Sequence, residues 1–184
     1  SVDLVILDRR HAGASASGAP IPSDWPVAVT AGLQLGPDIR AALALCRAPF
    51  IAILGHSSEA LPGAVKSAMR ILEVQPDLHM VVGDCQLTQP SGDENPHHIS
   101  LAGLPDEPPP GWEYGTIFRR EVLEELSDLA GFPALLDGYR NACQREKVFH
   151  LSMVMHVYGH DRFYANLPLS KAQCQWLERW STAS

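Results

Sequence analysis

The sequence predicts a single α/β domain built on a mostly parallel sheet with helices on both faces. Apolar segments of strand length alternate along the chain with amphipathic segments of helix length, the order expected when helices join parallel strands. The chain has 184 residues, which suits one domain over 1–184 with one hydrophobic core. Hydrophobic residues make up 46% of the chain and occur along its whole length, as in an ordinary globular protein.

Each element is predicted from its apolar pattern and from the residues that bound it. Strands are expected at 2–7, 26–30, 50–54, 79–83 and 148–158, and helices at 37–47, 61–74, 119–129, 134–145 and 170–180. Pro37 and Pro62 suit the first turn of a helix, and Ser170 is a good N-cap. The helix that opens near Pro62 is expected to end before Pro76, because a residue that precedes proline avoids helical geometry.

A proline-rich segment at about 88–112 separates the two halves of the pattern. It contains six prolines together with glycine, acidic residues and the pair His97-His98. This composition favours a long surface loop, and loops of this length often carry function. The two histidines have no metal-ligating partner at a convincing sequence spacing.

Charge and composition exclude several classes of function. The formal net charge of -7 offers no basic field for a phosphate backbone, so we expect no nucleic-acid partner. No apolar run is long enough to span a membrane and the first residues do not form a secretory signal, so a cytoplasmic protein is expected. The four cysteines lie far apart in sequence, which favours reduced thiols over a zinc or redox motif.

Four segments in order resemble the family 2 glycosyltransferases of the GT-A fold. They are VDLVILD at 2–8, FIAILGHSSEALPG at 50–63, QPDLHMVVGD at 75–84 and GTIFRREVL at 115–123. The family has one further strand before the first of these, so the sequence begins late or lacks that strand. The resemblance implies an inverting transfer of a sugar from a nucleotide-diphosphate sugar to a glycan or lipid acceptor.

The resemblance also implies roles for particular residues. Asp8, Asp84, Ser57 and Ser58 are expected to contact the sugar donor, with Asp8 close to the nucleotide base, although Asp8 could equally cap the turn that follows it. Asp137 stands where the family has the second residue of a Glu-Asp pair, so it is the candidate base for the acceptor hydroxyl. It could also belong to a helix entry without a catalytic part.

The acidic pair that binds a divalent cation in the family is missing here. Its place is taken by Gly55, His56, Ser57 and Ser58, which supply no pair of carboxylate ligands, so no certain cofactor is expected. An alternative metal site would combine His56, His156 and His160, since imidazole suits transition metals.

Two functions therefore remain open from the sequence. The first is an active glycosyltransferase domain in glycan or polysaccharide biosynthesis, and the second is a degenerate, non-catalytic binding or scaffolding module. Either function is compatible with a homo-oligomer. An unrelated α/β enzyme is less well supported, because no dinucleotide fingerprint, phosphate loop or nucleophile elbow is present.

Overall fold

The computed structural model describes residues 2–7, 27–30, 40, 43–44, 48–55, 58–88, 97–109, 112–126 and 131–159. The strands are β1 (Val2–Leu7), β2 (Val27–Thr30), β3 (Phe50–Gly55), β4 (Ser58–Ala60), β5 (Met80–Thr88), β6 (His97–Ile99), β7 (Thr116–Arg119) and β8 (Val148–Gly159). The helices are α1 (Pro62–Val74), α2 (Arg120–Leu126) and α3 (Gly131–Gln144), and a 3-10 turn at Trp112–Gly115 precedes β7.

These strands form one mixed sheet in the order β2-β1-β3-β7-β5-β8-β4, with β6 paired to β5. The prediction of a mostly parallel sheet is wrong, because four of the seven pairings in the described chain are antiparallel. β7 lies between β3 and β5 and runs against both. An apolar run identifies a strand, whereas its direction depends on the connection that brings the chain back to the sheet.

Alternating residues of the central strands supply two hydrophobic cores, one on each face of the sheet. Phe50 and Ala52 of β3 face the core that includes α1, whereas Ile51 and Ile53 face the core that includes α2 and α3. Side chains that are adjacent along a strand point to opposite faces, so one apolar strand serves both cores. Helices therefore cover both faces, as the sequence predicts.

Helix α1 shows how sequence determines local structure in this fold. Pro62 occupies its first turn, and Val65, Ala68 and Leu72 bury one face against the sheet at helical spacing. At its C-terminus, the guanidinium of Arg119 donates hydrogen bonds to backbone carbonyls of Leu72, Gln75 and Leu78. Arg119 thus satisfies carbonyl groups that the helix leaves without an intrahelical partner.

The predicted strands and helices are found close to their predicted bounds. β1 has the predicted limits, and β3 is one residue longer. β5 continues to Thr88, beyond the predicted end at 83. Polar residues end the apolar run at 83, but the backbone beyond it still pairs with β6 and β8. Positions 40, 43 and 44 are helical, within the helix predicted at 37–47. The predicted helix at 170–180 lies outside the described residues.

The described part of the proline-rich segment packs against the sheet. β6 pairs with β5, and the buried side chains among the described residues of this segment include Ile99, Leu101, Pro108, Pro109 and Trp112. Tyr139 of α3 donates a hydrogen bond to the Pro105 carbonyl at 3.0 Å. Arg140 also reaches the segment, since it donates to the Asp106 carbonyl and pairs with Glu107.

No helix that the structure describes is both long enough and apolar enough to cross a membrane.

Gly83 provides a test of the packing between β5 and β8. A Cβ at position 83 would overlap Cγ of Met155 and would lie 3.0 Å from its Cβ. We therefore expect Gly83→Ala to lower the free energy of unfolding by about 1–3 kcal/mol, measured by urea denaturation. Gly63→Ala is the matched control, because a Cβ at position 63 has no heavy atom within 4 Å. Equal stability of the two variants would contradict the close packing.

Candidate functional site

The candidate site lies at the carboxyl end of the parallel strands β3 and β5. Ile51 of β3 and Met80 of β5 both pair with Phe118 of β7, so Asp84, four residues beyond Met80, is level with Gly55 at the end of β3. Ligands of open α/β sheets bind in the crevice outside the carboxyl ends of such strands. Asp84 is therefore at the edge where a ligand is expected.

Asp84 is a buried carboxylate held by three donors. Its Oδ1 accepts hydrogen bonds from Nε2 of His150 at 2.7 Å and from the backbone N–H of Leu101 at 3.1 Å. Its Oδ2 accepts a hydrogen bond from Nε2 of His98 at 3.2 Å. Because an ionised carboxylate only accepts, Nε2 carries the proton in both imidazoles. We call Asp84, His98 and His150 the aspartate cluster.

The pairing between β5 and β8 is irregular next to this cluster. The register is regular up to Gly83, which is opposite Leu151, but Asp84 is opposite Val154, so β8 has two extra residues at this point. Such bulges increase local twist and redirect side chains. The side chain of Met155 packs against Gly83. His150 lies opposite Val82, two residues before Asp84, and its side chain donates a hydrogen bond to Asp84.

The hydrogen bonds determine the ionisation of Asp84. Burial alone would raise the pKa of its carboxyl group, but hydrogen bonds from His150 and Leu101, the positive charge of His150 when protonated and the hydrogen bond from His98 together outweigh that effect. The pKa of Asp84 is consequently lowered from its ordinary value. At neutral pH the Asp84 carboxyl group is therefore ionised.

Cys85 adjoins the cluster but is not suited to nucleophilic chemistry. Its side chain is fully buried, and burial, followed by the negative charges of Glu113 and Asp84, raises the pKa of its thiol far above the ordinary value. The thiol therefore stays protonated at neutral pH, and a protonated thiol is a poor nucleophile.

The two histidines of the cluster differ in exposure, and neither was predicted as a site residue. The side chain of His98 is 52% exposed, that of His150 13% and that of Asp84 7%. His98 and His150 lie 14 and 66 residues from Asp84 in sequence. Such separations give no motif, and the only available sequence signal was the Gly83-Asp84 element.

Asp137 lies elsewhere, in a hollow between α2 and α3. The hollow is lined by His79, Val122, Glu125, Leu126, Asp137, Gly138, Asn141 and Arg145. The Asp137 side chain is 72% exposed, and its nearest cationic group is Arg140, at 3.8 Å. Burial, followed by the positive charges of Arg145 and Lys147, lowers the pKa of His79, which is therefore neutral at neutral pH.

The structure does not bring Asp137 to the aspartate cluster. The hollow includes His79, the residue before β5, whereas Asp84 is five residues further along the chain, which corresponds to about 16 Å along a strand. Among the contacts of the described residues, none joins Asp137 to Asp84, His98 or His150. Asp84 is the one predicted donor-binding or catalytic residue whose side-chain contacts the structure describes at the carboxyl ends of the strands.

Several other predicted site residues lie outside the described residues, namely Asp8, His56, Ser57 and His160. The backbone of Ser58 belongs to β4, and His156 lies in β8 opposite Ala60 and Cys85. The described residues contain no group of three or more His, Cys, Asp or Glu side chains arranged to hold a metal ion. The alternative metal site of His56, His156 and His160 stays a prediction.

Comparison with solved structures shows which fold the chain has. It matches S. aureus TarS 1-349 in complex with UDP-GlcNAc, with a TM-score of 0.52, 9% identity and coverage of 87% of this chain. It matches S. aureus TarS 1-349 in complex with UDP, with a TM-score of 0.50, 12% identity and coverage of 97% of this chain. The architecture is thus similar to the fold of nucleotide-diphospho-sugar transferases.

The likeness is one of fold, because the identities are low. The chain spans 58% of the first TarS structure and 71% of the second. No model of a protein family and no curated protein matches the sequence.

The lowered pKa of Asp84 predicts how the stability of the cluster depends on pH. A carboxylate with a lowered folded-state pKa stabilises the fold above its unfolded pKa, and this contribution is lost as the pH falls through the folded value. We expect Asp84→Asn to reduce the free energy of unfolding by roughly 3 kcal/mol at pH 7, because the buried donors lose their anionic partner. The difference from wild type should shrink as the pH falls below about 4.

Urea denaturation at several pH values measures this dependence. Asp106→Asn is the matched control, since Asp106 is exposed and the hydrogen bond it accepts from Arg140 uses its backbone carbonyl. A constant difference between wild type and Asp84→Asn from pH 7 to pH 3 would show that Asp84 is not an ionised partner of the histidines.

Proposed function

We propose that this chain is a nucleotide-sugar-dependent glycosyltransferase domain of the GT-A type. The observation that carries the proposal is the fold likeness to S. aureus TarS in complex with UDP-GlcNAc, which extends over 87% of this chain. The sequence segments that resemble family 2 glycosyltransferases support it independently, because they contribute to β1, β3, β5 and β7 in the expected order. The substrates of this reaction are a nucleotide-diphosphate sugar and a glycan or lipid acceptor.

The proposed donor site lies outside the carboxyl ends of β1 and β3. Those strands are parallel neighbours, and Leu7 of β1 pairs with Gly55 of β3 at these ends. Asp8, Ser57 and Ser58 are the proposed donor contacts. Asp84 is also a predicted donor contact, but both of its oxygens accept hydrogen bonds from the protein, so we propose a positioning role for it.

The proposed transfer does not use a carboxylate-bound metal at the turn after β3. Residues 55–58 are Gly, His, Ser and Ser, and none of them supplies the hard anionic oxygen that magnesium or manganese prefers. Neutral hydroxyl and backbone N–H groups are the remaining candidates for contact with the diphosphate. The same observation favours the second candidate function, a non-catalytic binding module.

Ligand-induced stabilisation tests the proposal. A nucleotide-diphosphate sugar present at about 100 times its Kd should stabilise the fold by about 2.7 kcal/mol. For a chain of this size, that corresponds to a rise in melting temperature of about 5–10 °C. UDP-GlcNAc is the first donor to measure, and free N-acetylglucosamine and inorganic phosphate serve as control ligands.

The same measurement tests whether the site requires a metal. Manganese or magnesium alone should leave the melting temperature of wild type unchanged, and neither ion should change donor affinity. In the variant Ser57→Asp/Ser58→Asp, manganese should increase donor affinity, because two carboxylates are restored at the turn. A manganese-dependent stabilisation of wild type that disappears in His56→Ala would contradict this prediction and would favour the histidine site.

Turnover separates the two candidate functions. Release of UDP from a donor that binds would support an active transferase. Binding without release of nucleotide in the presence of a broad set of glycan and lipid acceptors would favour the binding module. Failure of all nucleotide-diphosphate sugars to bind would reject both, and only the fold likeness would stand.

A further inference from the structure

The proposed transfer needs a group that removes the proton from the acceptor hydroxyl as its oxygen attacks the anomeric carbon. We propose that His98 is this base and that Asp84 is the residue that positions it. This inference rests on the proposed function, since it names the base of the same reaction. The resemblance to the family implies a different residue for the role, Asp137.

The geometry of the aspartate cluster is that of a histidine oriented by a buried carboxylate. Nε2 of His98 donates to Oδ2 of Asp84, so the proton resides on Nε2 and Nδ1 carries the lone pair. None of the described contacts uses Nδ1 of His98, and half of the side chain is exposed. The imidazole is thus held by one nitrogen while the other can accept a proton.

Asp84 is held firmly enough to position the imidazole. Its second oxygen accepts hydrogen bonds from His150 and from the backbone N–H of Leu101, and its side chain is 7% exposed. A carboxylate in this environment stabilises the imidazolium that forms when Nδ1 takes a proton. His150 binds the same carboxylate but is 13% exposed, so it has a supporting role.

The position of His98 in the fold fits the proposed site. β6 pairs with the part of β5 from Cys85 to Leu87, and Asp84 is already level with Gly55, the last residue of β3. His98, opposite Gln86, therefore lies beyond the carboxyl end of β3, on the side where the crevice of an α/β sheet opens. Asp137 instead shares its hollow with His79 and Arg145, which precede β5 and β8.

The proposed step is a direct displacement. The acceptor oxygen forms a bond to the anomeric carbon while its proton passes to Nδ1 of His98. The bond between the anomeric carbon and the phosphate oxygen breaks, and its electron pair leaves with the nucleoside diphosphate. The imidazolium, paired with the Asp84 carboxylate, then releases the proton to water, so the histidine is ready for another turnover.

His98→Gln is the central variant, measured in the full chain with a donor that binds. The glutamine amide can still donate to Asp84 but cannot act as a base, so we expect kcat to fall by about 10²–10⁴-fold with little change in donor Kd. His79→Gln is the control histidine variant and should keep kcat within a few-fold of wild type, and Asp137→Asn tests the competing assignment. Circular dichroism and melting temperature verify that each variant folds.

Two further measurements separate a base from a structural residue. In His98→Ala, added imidazole should restore part of the lost turnover, because a diffusible base can occupy the vacated position. Nitrogen-15 NMR of the wild-type chain should show His98 with its proton on Nε2 and with Nδ1 unprotonated. In Asp84→Asn, this tautomer preference should weaken and kcat should fall, while donor Kd stays close to that of wild type.

Each outcome decides between the proposals. A loss of turnover in His98→Gln with imidazole rescue of His98→Ala supports the inference. Unchanged turnover in His98→Gln, a loss confined to Asp137→Asn, or a proton on Nδ1 of wild-type His98 overturns it and leaves the proposed function intact. Donor binding without turnover in wild type also overturns it, whereas absence of donor binding overturns the proposed function itself.

Discussion

The buried carboxylate of Asp84 in β5 connects two other segments of the chain, residues 97–101 and β8. It accepts hydrogen bonds from β6 through His98, from β8 through His150 and from the backbone of Leu101. A buried charge without partners is strongly destabilising, so the surrounding chain must keep all three donors in place. These hydrogen bonds connect the segment 97–101 and β8 to β5.

The side chain of Arg119 also connects separate segments of the chain, at the end of the sheet opposite Asp84. Arg119 ends β7, donates to carbonyls at the end of α1 and stacks its guanidinium 5.5 Å from the centre of the Phe50 ring. Arg120 begins α2 and donates to the Leu43 carbonyl. The hydrogen bonds of these two adjacent arginines thus connect helices on both faces to the sheet. The two apolar cores supply most of the buried apolar surface.

The segment that follows β3 lacks the acidic pair of the family 2 glycosyltransferases, which this chain resembles in sequence. Residues 55–58 provide no carboxylate pair, yet a buried carboxylate lies level with the end of β3, in strand β5 on the other side of β7. Both oxygens of Asp84 accept hydrogen bonds from protein donors, two of which are imidazoles. A carboxylate in this position can orient an imidazole, which is the basis of the proposed proton transfer.

The sequence by itself predicted five of the strands and all three described helices, because apolar periodicity and proline positions act locally, but it did not predict β4, β6 or β7. It identified β1 with its correct limits, α1 between Pro62 and Pro76, and Asp84 as a residue of interest. Only the tertiary structure decided the direction of β7, the bulged register of β8 and the meeting of His98 and His150 at Asp84. Those features depend on contacts between residues that are distant in sequence, such as Asp84 and His150, which are 66 positions apart, and no local sequence pattern predicts such contacts.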